Sequence, residues 1–519
     1  MNFKIQPQFN TPTNFSFKKN EKQVNSDLVR TPSKDSFEVS VGYVNDIHGQ
    51  TNNMMRILSG IKGDIRLSAG DNDIGDEKNR PVHDSTTTFL NLAKINASAL
   101  GNHEFDTTQK DFIHTVKSFN GDILSANVKK HHLENLDLDD DKADIDDYIK
   151  KSTIVEVKGE KIGLVGASPT DMFERATHPE YYTDCEVDSL DDTVDDIQDE
   201  VDDLREQGIN KIFLLSHLGN KKDKYVAQNT KGIDVIIGGH THELIKDIKE
   251  GENLLYSKNN EPVIITEAGR DGKAFGLLNL TFDKNGVITK AQNNLAETSD
   301  FSKNLIHQYL FDKILGKPEK IGYIKSAPMP PSTLIEENPH ANFVCDAMRY
   351  ELDTDIAIWN NAGPRNFFHE GVIDSRDIRD IAPFRDGVSV ANVTEKKLVE
   401  WGKKVIDMTY KTPGYKPGLM AVSGLNYTVD PSLGKLVAMN FVDKNGKEHK
   451  IDINNPREDK TYKLAMDSFM MSWGADYDIM AEKEECEIHN ECKDYYTCEY
   501  IKHLNKPIEI NQTGRIRFV

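Results

Sequence analysis

Short apolar runs that break into Asp, Asn or His recur through the first half of the chain. Residues 41–44 lead into Asp46-Ile47-His48, residues 65–67 run toward Gly70-Asp71, and residues 97–100 lead into Gly101-Asn102-His103-Glu104-Phe105-Asp106. Residues 212–215 meet His217, and residues 235–237 reach Gly239-His240-Thr241-His242. Apolar runs of this length, bounded by turn residues, read as strands. Between them lie helical patterns over 53–61, 107–119 and 189–207; in the last, Val194, Ile197, Val201 and Leu204 recur every three or four positions and form one packing face. This alternation predicts a layered α/β sheet structure with helices on both faces. Further strands are expected over 123–127, 153–157, 161–167, 263–268 and 275–282, the last two completing a sheet sandwich.

The periodicity then changes. A helix over 301–315 is followed by Ala327-Pro328-Met329-Pro330-Pro331, which continues neither a helix nor a central strand. The expected organisation is a polar leader over 1–36, a first domain over 37–300, a linker helix and hinge over 301–331, and a second domain over 332–519. The second domain opens with a helix over 342–348 and a strand over 356–359, and no internal repeat is evident.

The strand ends carry the candidate chemistry. Open α/β sheets place ligands at the C-terminal edges of their strands, and here these edges carry Asp, Asn and His. A donor set of nitrogen and oxygen only, with Asp71 able to bridge, suits two divalent cations of borderline character better than a thiolate zinc site. The paired His131-His132 sit at no strand end and read as surface residues beside a solvated acidic loop over 137–147.

Charge narrows the partners. With 64 basic against 85 acidic residues among 519, the net charge of −21 argues against nucleic-acid polymers. It does not argue against small phosphate esters, which cations in a cleft would attract locally. No window approaches the ~18 apolar residues of a membrane span. The first residues lack the apolar centre of a secretory signal, so the expected location is cytoplasmic, with export by an unrecognised route left open. Nothing in the sequence bears on oligomeric state.

Five cysteines, Cys185, Cys345, Cys486, Cys492 and Cys498, contain no Cys-x-x-Cys pair and read as thiols in a reducing compartment. The group Cys486, His489, Cys492 and Cys498 matches no structural zinc spacing.

Taken in order, Asp-x-His, Gly-Asp, Gly-Asn-His-Glu-Phe-Asp, His and Gly-His-Thr-His resemble the calcineurin-like metallophosphoesterases. Within these the chain is similar, over residues 38–519, to the two-domain 5′-nucleotidase family, which includes UDP-sugar hydrolases and 2′,3′-cyclic-nucleotide phosphodiesterases. The resemblance implies an N-terminal four-layer αββα metallophosphoesterase domain and a C-terminal α/β substrate-binding domain. It implies two divalent ions (Mn, Zn, Fe, Mg or Ca), one held by Asp46, His48, Asp71 and His242, the other by Asp71, Asn102, His217 and His240. His103 is then a non-ligand facing the substrate, with Asp106 orienting its ring to stabilise the transition state or protonate the leaving oxygen. Asp106 also suits the cap of a helix beginning at Thr107, and both roles can hold at once, since a cap fixes the carboxylate that orients the ring. The loop over 72–81 is more polar than its counterpart in the family.

In the second domain Asn360-Asn361-Ala362-Gly363-Pro364-Arg365 resembles the family's Asn-Gly-Gly-Gly-x-Arg loop, with Asn361 and Ala362 in place of two glycines. Pro383-Phe384 and Ser468-Phe469 resemble its two base-stacking positions, and Gly474-Ala475-Asp476-Tyr477 resembles Gly-Gly-Asp-Gly-aromatic. By this likeness Asn360, Arg365 and Asp476 grip ribose, base or a distal phosphate, while Phe384 and Phe469 stack on the base. The expected activity is metal-dependent phosphate release from nucleotides. Hydrolysis of 2′,3′-cyclic nucleotides and 3′-nucleotides, or of nucleotide sugars, is the enzymatic alternative. A silent nucleotide-binding or surface-interaction protein is the alternative from another class, and the complete set of metal residues argues against it.

Overall fold

The computed structural model describes residues 36–75, 77–130, 148–175, 179–411, 418–473 and 480–519. Nearly all of the expected leader, His131-His132, the acidic run over 137–147 and Gly474-Ala475-Asp476-Tyr477 lie outside the described residues.

The first half folds around two six-stranded sheets. One runs Ile288–Glu297, Ala274–Phe282, Phe37–Val44, Ile65–Ser68, Ala97–Ala99, Asp122–Leu124; the other runs Leu254–Tyr256, Pro262–Thr266, Val235–Gly238, Ile212–Ser216, Glu160–Ala167, Ser152–Val157. The central strands of each are parallel, so their C-terminal ends share an edge. The period-two alternation of side chains decides the layering. Val41, Tyr43 and Leu67 of the first sheet and Phe213, Leu215, Val235 and Ile237 of the second form one buried core between the sheets. Val44 points the other way, into a core with Met54, Phe89 and Phe112, whereas Leu214 and Ile236 pack against Ile197, Val201 and Val226. Helices Thr51–Ile57, Arg80–Ala93 and Gln109–Ser118 cover one outer face, and Leu190–Glu206 and Asn220–Asn229 the other. This is the expected four-layer αββα order.

Helix Arg80–Ala93 has no counterpart in the pattern reading. Its buried face mixes Val82, Phe89 and Leu90 with His83, Ser85, Thr86 and Thr87, so no apolar stripe announces it. The hydroxyls are satisfied locally: Ser85 Oγ donates to the Val82 carbonyl (2.8 Å) and Thr87 Oγ1 to that of His83 (3.1 Å).

The second half is built on a five-stranded sheet, Met420–Ser423, Ile356–Asn360, Thr461–Asp467, Gly387–Thr394, Glu487–Cys492, beside smaller sheets of four and three strands. The segment expected as linker and hinge, 301–331, holds regular structure. Within it Lys320–Ser326 is a strand paired with Gly371–Asp374 and Ile508–Glu509, anchored by the buried Ile321 and Ile324. Helix Leu305–Leu315, capped by Asn304, precedes this strand.

The halves meet where helix Thr51–Ile57 packs on helix Ser375–Ile381. Gln50 Nε2 donates to the Asp380 carbonyl (2.9 Å), Thr51 Oγ1 to the Asp380 carboxylate (3.2 Å) and Asn52 Nδ2 to Asp377 (3.0 Å).

Candidate active site

Five strand ends converge on the shared edge, and the chain turns there through strained backbone. Asp46, His48, Asp71, His240 and His242 all have left-handed φ, between 48° and 74°, a conformation that costs non-glycine residues of order 1 kcal/mol or more and persists only where the surroundings impose it. Backbone hydrogen bonds impose it here: Asp46 N–H to Gly70 O and His48 N–H to Asp71 O, both 3.0 Å. Gly101 permits the closest approach, since a Cβ there would stand 2.0 Å from Asp71 Oδ1.

Carboxylates and imidazoles consequently face one another at short range. Asp46 Oδ1 lies 3.7 Å from His48 Nε2, 3.6 Å from His217 Nε2 and 3.2 Å from His242 Nε2. Asp71 Oδ2 lies 3.5 Å from His48 Nε2 and 3.1 Å from His217 Nε2. Among the described residues, three overlapping groups, Asp46–His48–His242, His48–Asp71–His103 and Asp71–His217–His240, have donor atoms close enough to share an ion. His48 Nε2 and His217 Nε2 are buried without a hydrogen-bond partner, a cost that coordination would relieve. Electrostatics points the same way. Burial opposes a charge on His217, yet Asp71 and Asp46 push its pKa up to about 10: the pocket demands positive charge. For His240, burial and the neighbouring His217 instead depress the ring to about 4, leaving it neutral and able to donate a lone pair. Asn102 is buried at the head of the turn His103–Phe105, directly before His103. The donor set fits divalent cations.

Outer contacts fix these groups, and most escaped the sequence reading. Asp271 Oδ1 is 3.1 Å from His48 Nδ1, and the Ala69 carbonyl is 2.6 Å from His217 Nδ1. Asn45 Nδ2 donates to Asp46 Oδ2 (2.7 Å). Glu104 accepts the N–H groups of Gly101 (2.8 Å), Asp71 (3.0 Å) and Asn72 (2.8 Å), stitching two strand ends together. Burial and the Asp71 charge raise its carboxyl to about 7. Its place inside Gly-Asn-His-Glu was a usable signal; Asp271 had none, because only the folded chain brings it to His48.

His103 stands at the rim of the ligand group. Its Nδ1 is 2.7 Å from Asp106 Oδ2, and its backbone N–H donates to Asp71 Oδ1 (2.9 Å). Burial lowers its pKa, but Asp106 and Asp71 outweigh this and raise it above the ordinary imidazole value. Asp106 does not cap the following helix. Thr108 does so, accepting the Asp111 N–H (3.2 Å), and Asp106 instead accepts the Gly75 N–H (3.0 Å).

Two residues of the second half reach this rim. The Arg365 guanidinium lies over the Phe384 ring at 5.1 Å and 4.0 Å from Asp271 Oδ1; the Phe384 ring meets His103 at 5.7 Å. Asn360 ends strand Ile356–Asn360 and is half-buried. Phe469 opens a π-helical turn, Phe469–Trp473, and packs against the second half's core. Asp476 lies outside the described residues. Of the cysteines, Cys492 donates to the Arg385 carbonyl (2.7 Å) and Cys486 to that of Glu482 (3.2 Å), while Cys486 and Cys498 pack against different cores. No helix among the described residues is long and apolar enough to cross a membrane.

Comparison with known proteins agrees with this geometry. Residues 39–244 match the profile of the calcineurin-like phosphoesterases, and residues 320–482 that of the 5′-nucleotidase C-terminal domain. The trifunctional nucleotide phosphoesterase protein YfkN of Bacillus subtilis is 26% identical over 96% of this chain, which spans 36% of that relative's length. A snake venom 5′-nucleotidase of Crotalus adamanteus is 25% identical over 80% of this chain and 74% of its own. The fold matches the crystal structure of a 5′-nucleotidase precursor from Thermus thermophilus, with a TM-score of 0.70 and 21% identity over 93% of this chain and 99% of that one.

Proposed function

We propose, from the premise that this chain belongs to the two-domain metallophosphoesterases of the 5′-nucleotidase family, that it hydrolyses nucleotides to release phosphate. The observation that carries this reading is the buried pair His48 Nε2 and His217 Nε2, which face the Asp46 and Asp71 carboxylates at 3.1–3.7 Å beside the His103–Asp106 dyad. Asp46, His48, Asp71 and His242 would hold one ion, and Asp71, Asn102, His217 and His240 the other. The nitrogen-rich set favours Mn, Zn or Fe over Ca. Bound cations supply Lewis acidity toward phosphoryl oxygens and activate water at neutral pH.

The remaining chemistry belongs to side chains. With Nδ1 engaged by Asp106, His103 has only Nε2 left to offer. From there it hydrogen-bonds a phosphoryl oxygen as charge develops, or returns a proton to the leaving alkoxide. Asp106 holds the ring's tautomer and supports its positive charge. Arg365, whose Nε is buried without a partner, is the cation available to a phosphate or ribose oxygen arriving from the second domain. Asn360, Phe469 and Asp476 are its expected companions on the nucleoside.

A substrate panel tests this. Purified protein with manganese should release phosphate from nucleoside 5′-monophosphates. Opening of 2′,3′-cyclic nucleotides or cleavage of nucleotide sugars, with no phosphate from any monophosphate, would reassign the substrate. No turnover of any of these would leave a silent binding protein.

A further inference from the structure

Asn79 is buried on the loop that follows Asp71, and its side-chain nitrogen donates twice. One bond goes to the Ile74 carbonyl of its own loop (2.7 Å), the other across the domain boundary to the Pro383 carbonyl (3.0 Å). Two carbonyls at the nitrogen fix the amide's orientation, since a flip would set oxygen against oxygen. The orientation is costly, because Asn79 Oδ1 is left buried without a partner. Beside it Gly75, at φ +83°, lies so close to the second domain that a Cβ would stand 2.7 Å from the Phe384 carbonyl oxygen.

The same loop grips the dyad. Gly75 N–H donates to Asp106 Oδ2 (3.0 Å), the oxygen that also holds His103 Nδ1 (2.7 Å). The Gly75 carbonyl in turn accepts from His83 Nε2 (3.1 Å). The loop of contacts closes through the second domain, because Phe384, adjacent to Pro383, sets its ring against His103 at 5.7 Å. His103 is therefore held from two sides: by Asp106 through Gly75, and by Phe384 through Asn79.

We propose that Asn79 and Phe384 are positioning residues for His103, so that docking of the second domain completes the dyad and speeds hydrolysis even of substrates too small to reach the nucleotide-binding loop. This rests on the phosphohydrolase reading and gives Phe384 a role apart from base stacking. The geometry favours it, for the Phe384 ring meets both His103 and the Arg365 guanidinium.

The experiment is a double-mutant cycle, Asn79→Ala and Phe384→Leu, assayed on a small aryl phosphate with manganese. Leu keeps apolar bulk at the boundary and drops the ring. Each single variant should lower kcat about tenfold or more with KM nearly unchanged, as expected for misplacement of a catalytic group. The double variant should be no slower than the worse single one, since both break one linkage. Unchanged kcat in Phe384→Leu, or losses that multiply in the double variant, would overturn the proposal. A second readout is independent of turnover: the His103 Cε1–H resonance in histidine-labelled protein should move in Asn79→Ala, which touches neither ring nor carboxylate. If it stays put, the proposal fails whether or not the protein is active. Wild-type protein inactive on every phosphate ester would instead bring down the phosphohydrolase reading, with the resonance still deciding the coupling.

Discussion

His48 and Asp271 face each other with Nδ1 and Oδ1 3.1 Å apart, both side chains fully buried. Burial would raise the Asp271 carboxyl, but His48 and Lys273 hold it below the usual carboxylate range. A carboxylate on the far nitrogen of a metal-binding imidazole fixes its tautomer and raises its basicity, and loss of such a partner typically costs about 10- to 100-fold in metal affinity. Asp271→Ala should therefore release metal to a chelator at correspondingly lower concentration than wild type. Equal retention in the two proteins would mean that His48 is oriented by something else.

A second contrast separates the imidazole and cysteine groups. His217→Ala removes a nitrogen 3.1 Å from the shared Asp71 carboxylate and should cost an ion and nearly all turnover. Cys492→Ser should leave metal content unchanged, because its sulfur is committed to the Arg385 carbonyl. Elemental analysis of both proteins checks this; stoichiometric zinc lost from the serine variant would revive the cysteine site.

The domain boundary should respond to pH through Asp380. Burial, with a smaller contribution from Asp377, raises its carboxyl to about 7, against the lowering effects of the Asn52 N–H, the Thr51 hydroxyl and Lys303. The folded state then binds a proton that the unfolded chain has lost, so this group's contribution to stability falls as pH rises from about 4, the unfolded carboxyl value, to about 7. The melting temperature of Asp380→Asn should fall less than that of wild type between pH 5 and pH 8. Parallel pH profiles would show that Asp380 is not the titrating group.

Much of this was legible in the chain because it depends on local pattern. Strand ends that break into Asp-Ile-His or Gly-His-Thr-His declare both an element and its edge, and the alternation with helices declares the layering. What stayed hidden depends on tertiary context. Helix Arg80–Ala93 buries His83, Thr86 and Thr87 as part of its inner face, so a reading by apolar period passes over it. Lys320–Ser326 buries Ile321 and Ile324, three positions apart, and its pairing carries register shifts, so no period-two alternation marks it as a strand beside the prolines. Asp271 and Asn79 act on groups far away in sequence, and nothing in their neighbours marks them. Asp106 illustrates a real ambiguity: an Asp before a helix is a good cap, but here Thr108 takes that position and frees the carboxylate for His103.

The two stacking candidates should part company when assayed on different substrates. Phe384 touches His103, whereas Phe469 packs on the second domain's core. Phe469→Leu, which preserves packing volume, should lower kcat/KM for a nucleoside monophosphate by about fivefold, near the lower end of the ~1 to 3 kcal/mol that base stacking contributes. It should leave a small aryl phosphate untouched, because that substrate offers no base. His103→Ala should slow both substrates by two orders of magnitude or more, on the order of what a general acid supplies, since it acts on the transferring phosphoryl group itself. Equal losses on the two substrates for Phe469→Leu would mean that this residue supports the fold of the second domain rather than the nucleotide, and the base would have to be held elsewhere.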